Sequence, residues 1–129
     1  MASAERSTCL FCTPDAASVF LRNDRAYAFW DGFPVTPLHA LVIPHRHVDD
    51  FFALTTEEVL ACSELLHELR AHVKATDPTV EGFNIGLNVG QVAGQTVFHC
   101  HFHLIPRRRG DVENPRGGVR HVIPGKGFY

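Results

Sequence analysis

Hydrophobic and polar residues along this 129-residue chain change their spacing several times, and the changes divide it into elements. Ser18 to Arg22 and Ala26 to Trp30 are short aromatic and aliphatic runs joined at Asn23-Asp24, a pair suited to a tight turn, and they predict a β-hairpin. After two prolines, an apolar run from His39 to Ile43 is closed by Pro44, which reads as loop, strand, loop. From Thr55 the period lengthens. Apolar residues at Val59, Cys62, Leu66, Leu69 and Val73 share one helical stripe, Thr55 and Glu58 make a capping-box pair, and Asp77-Pro78 ends the helix. Gly82 to Val89 then alternates Phe83, Ile85, Leu87 and Val89 with Gly82, Asn84, Gly86 and Asn88, the period of a half-buried strand. A glycine-bearing turn, GQVAGQ, separates it from VFHCHFHLIP, which alternates as strictly. The remainder, Arg107 to Tyr129, is rich in Gly, Pro and Arg without a period, and is expected as ordered loop or short strand. Strands outnumber helices and their connections are hairpin-like. The fold class is therefore α+β, an antiparallel sheet of about five strands with one long helix packed on one face.

A hydrophobic content of 45% at this length suits one globular domain over residues 1–129, with an N-terminal Cys-x-x-Cys segment at 1–14 and a tail at 107–129. No window approaches the roughly 18 consecutive apolar residues of a membrane span, and MASAERSTCLFC lacks the basic-then-apolar start of a secretory signal. A cytoplasmic address and no membrane partner are expected. With net charge -2 and a pI near 6.5 there is no global cationic field to gather nucleic acid. Any phosphate must be gripped locally. Of the four cysteines, Cys9 and Cys12 form a close pair while Cys62 and Cys100 sit in apolar runs as expected buried thiols, which is not the pattern of a disulfide framework.

Nine histidines is a high number for this length, and His39, His45, His47, His99, His101 and His103 fall in two short segments. In VFHCHFHLIP, alternation puts Val97, His99, His101, His103 and Ile105 on one face and Phe98, Cys100, Phe102 and Leu104 on the other. The apolar row is the expected core face. Three imidazoles then stand in line, roughly 6 to 7 Å apart, on the face the helix leaves open. A single such histidine would be a solvated surface residue; three in strict alternation call for chemistry. One reading is a metal site, since His-x-His can place two nitrogens on one ion. The other is nucleophilic catalysis, in which neutral imidazole forms a phosphohistidine and divides one hard displacement at phosphorus into two easier ones.

The run Gln95-Thr96-Val97-Phe98-His99-Cys100-His101-Phe102-His103-Leu104-Ile105 resembles the signature of the histidine triad (HIT) family. AFWDGFPVTPLHALVIPHRH is similar to the family's first half, and Asn88 with GQVAGQ fits the approach to the triad. The ending GDVENPRGGVRHVIPGKGFY looks most like bacterial members of the diadenosine polyphosphate hydrolase-like kind. The resemblance implies a nucleotide hydrolase or transferase acting at the α-phosphate of a purine nucleotide, either a dinucleoside polyphosphate or a nucleoside phosphoramidate. It implies that His101 attacks phosphorus and is transiently nucleotidylated. His103, His39 and the Thr96 hydroxyl would bind phosphate oxygens or relay a proton, Asn88 and Gln95 would donate to phosphate, and Asp31 would accept from the ribose hydroxyls.

Cys9-Leu10-Phe11-Cys12 has the spacing of a metal knuckle and needs two further ligands. Some bacterial HIT proteins resemble this chain in such a pair, which implies a structural zinc held by Cys9, Cys12, His47 and His99, with His45 as the rival of His47 and no catalytic metal. The resemblance also implies a homodimer paired through the helix and an edge strand. Two other functions fit the sequence less well. A non-catalytic nucleotide-binding module has no use for an intact His101, and a metalloenzyme using His99, His101 and His103 together would need alternate residues of one strand to converge on one ion. Leu10, Phe11, Phe29 and Phe33 are candidates for a base pocket. Arg107-Arg108-Arg109 could meet a polyphosphate tail or form a solvated loop.

Overall fold

The computed structural model describes residues 9–129, and the first eight residues of the expected 1–14 segment lie outside the described residues. Five antiparallel strands form one sheet: β1 (Leu21–Arg22), β2 (Ala26–Trp30), β3 (Ala40–Pro44), β4 (Val80–Gly86) and β5 (Phe102–Arg108), in the order β1-β2-β3-β5-β4. The long helix α1 (Thr56–Thr76) packs across β2 and β3, as the sequence pattern requires. No helix among the described residues is long and apolar enough to cross a membrane.

β3 lies in the middle of the sheet and is buried at all five positions, which is why its sequence is a continuous apolar run rather than an alternation. Its two faces meet different partners. Ala40 and Val42 join Ala26, Ala28, Cys62, Leu65, Leu69, Cys100, Phe102 and Leu104 under the helix. Leu41 and Ile43 face the other way, onto Cys9, Phe11 and Tyr27. The N-terminal segment thus covers the sheet face opposite α1. Tyr27 fastens it by donating its hydroxyl to the Phe11 carbonyl at 2.6 Å.

Two strand boundaries differ from the sequence expectation for one reason. The run VFHCHFHLIP enters the sheet only at Phe102, because β3 pairs with β5 through Ala40, Leu41 and Val42 alone. Ahead of that point the Cys100 N–H donates to Val48 O at 2.7 Å and the His99 ring donates to Pro44 O at 2.7 Å, replacing ladder bonds. With no β5 to pair with beyond His103, β4 stops at Gly86 instead of Val89. The expected first strand shrinks to Leu21–Arg22, preceded by a 3₁₀ turn at Ala16–Ser18. Past Arg108 the tail contains no strand and a 3₁₀ turn at Gly118–Val122, folded so closely that a side chain at Gly127 would run into the His121 ring.

The capping box at Thr55 and Glu58 is present, and it does more than cap. The Glu58 carboxylate, 7% exposed, accepts from Thr55 N and takes a two-point ion pair from Arg46 at 2.9 and 2.8 Å. The Arg46 bond, first among several, lowers its pKa from 4.5 to about 2. A depressed acid stabilises the fold fully above its unfolded pKa, and that contribution fades as pH falls from 4.5 through 2. Glu58→Gln is expected to cost about 1 to 2 kcal/mol at neutral pH. Its deficit against wild type in denaturant melts should shrink by more than half by pH 3; an undiminished deficit there would show that the charge is not what matters.

Candidate functional site

Four elements deliver side chains to the sheet face opposite α1: the N-terminal segment, the loop from Asp31 to His39, the stretch after β3, and the extended approach to β5. The approach segment does not present three equivalent histidines. His99 is fully buried and turned toward the cysteines, whereas His101 and His103 are half-buried with ring centroids 5.3 Å apart in an edge-on arrangement. The expected row of three therefore splits into one histidine with structural neighbours and two that open to the surface.

His101 Nδ1 lies 2.8 Å from the carbonyl oxygen of His99. A carbonyl only accepts, so Nδ1 carries the ring proton and Nε2 keeps its lone pair. Burial lowers the His101 pKa, with the His99 carbonyl and Asp31 opposing. The ring is held neutral at pH 7, the form that can attack an electrophile. Phe11 from the N-terminal segment stands edge-on to it at 5.0 Å.

His103 and His39 face each other from β5 and the start of β3, Nδ1 to Nε2 at 2.9 Å. Asp31 Oδ2 lies 3.4 Å from His39 Nε2 and 3.9 Å from His103 Nδ1, while its Oδ1 accepts from Phe33 N. Burial, then the neighbouring His101 and His39, push the His103 pKa down to about 4 against the pull of Asp31. His39, 3% exposed, is lowered by burial as well.

Thr96 is exposed, and Asn88 is half-buried with its amide near Gly94. Gln95 is placed differently from expectation. Its side chain is buried, with Nε2 donating to Asp49 O and Val97 O and Oε1 accepting from Gly90 N. Its amide is spent on holding the Gly90–Val97 turn and tying it to the Asp49 carbonyl, so it does not face an open site. The three arginines at the end of β5 are also engaged: Arg107 with Asp111, Arg108 with Asp77 and Arg109 with Glu81. They line a cleft between β4, β5 and the tail. Phe33 is 91% exposed, Leu10 69% exposed, and Phe29 packs on Phe11.

Below His101, Cys9, Cys12, His47 and His99 bring one ligand atom each within 4.8 Å of one another. Cys12 Sγ is 3.0 Å from His47 Nδ1 and 3.6 Å from His99 Nδ1, and Cys9 Sγ is 3.5 Å from His99 Nδ1. Donors about 2.0 and 2.3 Å from one tetrahedral ion would stand roughly 3.5 Å apart. His99 has the outer partner such a ligand needs, because its Nε2 donates to Pro44 O. Of the two rival histidines, His47 points at the thiols while His45 stacks on Tyr27 and reaches Asn23 O.

Several of these contacts have no sequence signature. The carbonyls of His99 and Pro44 are backbone groups that any residue would supply, and Phe11 reads as a base-pocket candidate rather than a wall of His101.

Known proteins share the sequence pattern and the fold of this chain. An uncharacterized HIT-like protein of Methanocaldococcus jannaschii is 35% identical over 127 residues, covering 88% of this chain and 91% of the relative. A solved HIT family protein from Bacillus anthracis is 39% identical, with 78% of this chain and 74% of that one covered and a TM-score of 0.71. A zinc-bound histidine triad family protein from Mycobacterium smegmatis is 30% identical, with 83% and 80% covered and a TM-score of 0.73. The family model for the HIT domain matches residues 14–110, taking in the Asp31–His39 loop and the His99, His101 and His103 run, and the chain belongs to that family.

Proposed function

We propose that the protein is a nucleotide hydrolase or transferase that cleaves a phosphorus bond at the α-phosphate of a purine nucleotide, a dinucleoside polyphosphate or a nucleoside phosphoramidate. The observation that carries this reading is the His101 Nδ1 bond to the His99 carbonyl, which leaves Nε2 as a lone pair on a neutral, half-buried ring. Nε2 attacks phosphorus, and the bond to the leaving oxygen or nitrogen breaks as that atom takes a proton. Water then attacks the nucleotidyl-histidine, returning His101 and releasing the nucleoside monophosphate. His103, Thr96 and Asn88 stabilise the phosphate oxygens, and Asp31 serves the ribose hydroxyls. His39 supports His103 from behind, and Gln95 shapes the turn that carries Asn88 and Thr96 to the site.

The Cys9, Cys12, His47 and His99 set fits a structural zinc in its donor chemistry and spacing. Zinc there would crosslink the N-terminal segment to the sheet; the four protein ligands leave no coordination position for substrate. We read residues 1–129 as a single domain working in the cytoplasm, without nucleic-acid or membrane partners. We also propose a homodimer paired through α1 and the edge strand β4, on which Ile85 is 53% exposed. Sedimentation at micromolar concentration is expected to show twice the 14.4 kDa chain mass, and a monomer would overturn that pairing.

The test of the chemistry is mass spectrometry of protein quenched in alkali during turnover of an adenosine phosphoramidate or diadenosine polyphosphate. An adenylyl adduct on the wild type and none on His101→Ala is the expected result. Nucleotide binding without adduct or turnover would favour the binding-module alternative.

A further inference from the structure

The proton positions on His39 and His103 can be read outward from a group whose role is fixed. The Val35 amide lies 3.1 Å from His39 Nδ1, and a backbone N–H only donates, so His39 Nδ1 is the acceptor and Nε2 bears the ring proton. That Nε2 faces His103 Nδ1 at 2.9 Å, so His103 accepts there and bears its own proton on Nε2. Both ring nitrogens of His39 are thus used within the protein, and the ring is 3% exposed, whereas the His103 side chain is 25% exposed. His103 presents the pair's outward-facing donor.

The amide that starts this chain belongs to a loop pinned at its far side. Thr36 Oγ1 donates to Pro106 O at 2.8 Å, and Arg108 donates to Pro37 O at 3.0 Å from Nη2 and to Asp77 Oδ2 at 2.9 Å from Nε. Both pins tie the loop to β5, the strand that carries His103. The next residue, Leu38, has φ 70, a left-handed conformation costly for leucine, and such a conformation persists only where its surroundings hold it.

We propose that Thr36 and Arg108 are positioning residues: by pinning the 31–39 loop to β5 they hold the Val35 amide on His39, and so set which nitrogen of His39 and of His103 carries the proton. A bound phosphate then always meets an N–H of His103. An imidazole in the other tautomer would offer it a lone pair, which repels an oxyanion. The same geometry disfavours a cation among Asp31, His39 and His103, although their ligand atoms also converge within 4.8 Å. Ligation through His39 Nε2 would move its proton to Nδ1, donor against donor with Val35 N–H.

The kinetic part of this proposal rests on the hydrolase reading; the tautomer part does not. The experiment is a long-range proton–nitrogen correlation spectrum of 15N-histidine-labelled protein at neutral pH, for wild type, Thr36→Val, Arg108→Met and the double variant, beside turnover of an adenosine phosphoramidate. Wild type should show the lone-pair nitrogen shift at Nδ1 of both His39 and His103. The double variant should show His39 shifted toward a mixture, with kcat lowered roughly tenfold and KM changed by less than about twofold, and Thr36→Ser should match wild type. A proton on Nδ1 of His39 in wild type, or wild-type shifts retained in the double variant, would overturn the proposal. If the double variant does not fold, the single variants carry the same comparison. The expected shifts in a wild type without turnover would remove the hydrolase reading and leave the tautomer assignment standing.

Discussion

Replacing His101 with alanine is expected to lower kcat/KM by about 10,000-fold or more while leaving the fold intact. Removing a covalent nucleophile abolishes the two-step route altogether, and such losses exceed those from removing a single hydrogen-bond donor by orders of magnitude. A loss of that size corresponds to about 5.5 kcal/mol of transition-state stabilisation. Little of it should appear as lost stability, because His101 is half-buried at the mouth of the site and contributes one bond, to the His99 carbonyl. Steady-state kinetics and a thermal melt on the same preparation would check both halves. A variant within tenfold of wild type would show that His101 is not the nucleophile, whatever adduct the wild type forms.

Cys12→Ser is expected to abolish the binding of one zinc ion per chain and to lower stability by about 2 to 4 kcal/mol. Free energies of structural zinc binding in small domains that depend wholly on the metal are larger, but here a helix-covered sheet core stands apart from the site. The loss should reach catalysis too. His99 offers Nδ1 to the cysteines, while its carbonyl fixes the tautomer of His101, and Phe11 between the two cysteines packs on the His101 ring. A tenfold fall in kcat is the rough expectation, since a misoriented nucleophile retains its chemistry but reaches the productive geometry less often. Metal analysis of the purified protein with melts before and after chelation measures this. Protein that is purified free of zinc and melts unchanged after chelation would show that the four ligands pack without an ion.

A second consequence joins these two sites. One short segment, His99 to His103, supplies the proposed metal ligand, the proposed nucleophile and the proposed donor within five residues, because side chains and carbonyls alternate in direction along an extended backbone. The proposed metal site and the proposed nucleophile are therefore coupled, and substitutions at either should be measured for both metal content and turnover.

The sequence by itself determined the α+β class, the helix with its Thr55–Glu58 cap, the central strand and the two histidine clusters, because periodicity, capping and composition are local properties of the chain. It also pointed to Cys9, Cys12, His47 and His99 as a set, through resemblance to relatives rather than through any spacing between residues nearly ninety positions apart. Tertiary structure alone decided where the strands begin and end. β5 opens at Phe102 because the approach segment leaves β3 there, its Cys100 amide bonding Val48 O instead of the Ile43–Pro44 end of that strand, and no alternation of Val97, His99 and His101 records the departure. It decided, too, that His99 turns inward to the cysteines, that Gln95 closes on the backbone of its own turn and of Asp49, and that Val35 reaches His39. Those outcomes depend on backbone carbonyls and amides, which every residue carries alike. Only folding, by bringing distant segments to within hydrogen-bond distance, gives them distinct roles.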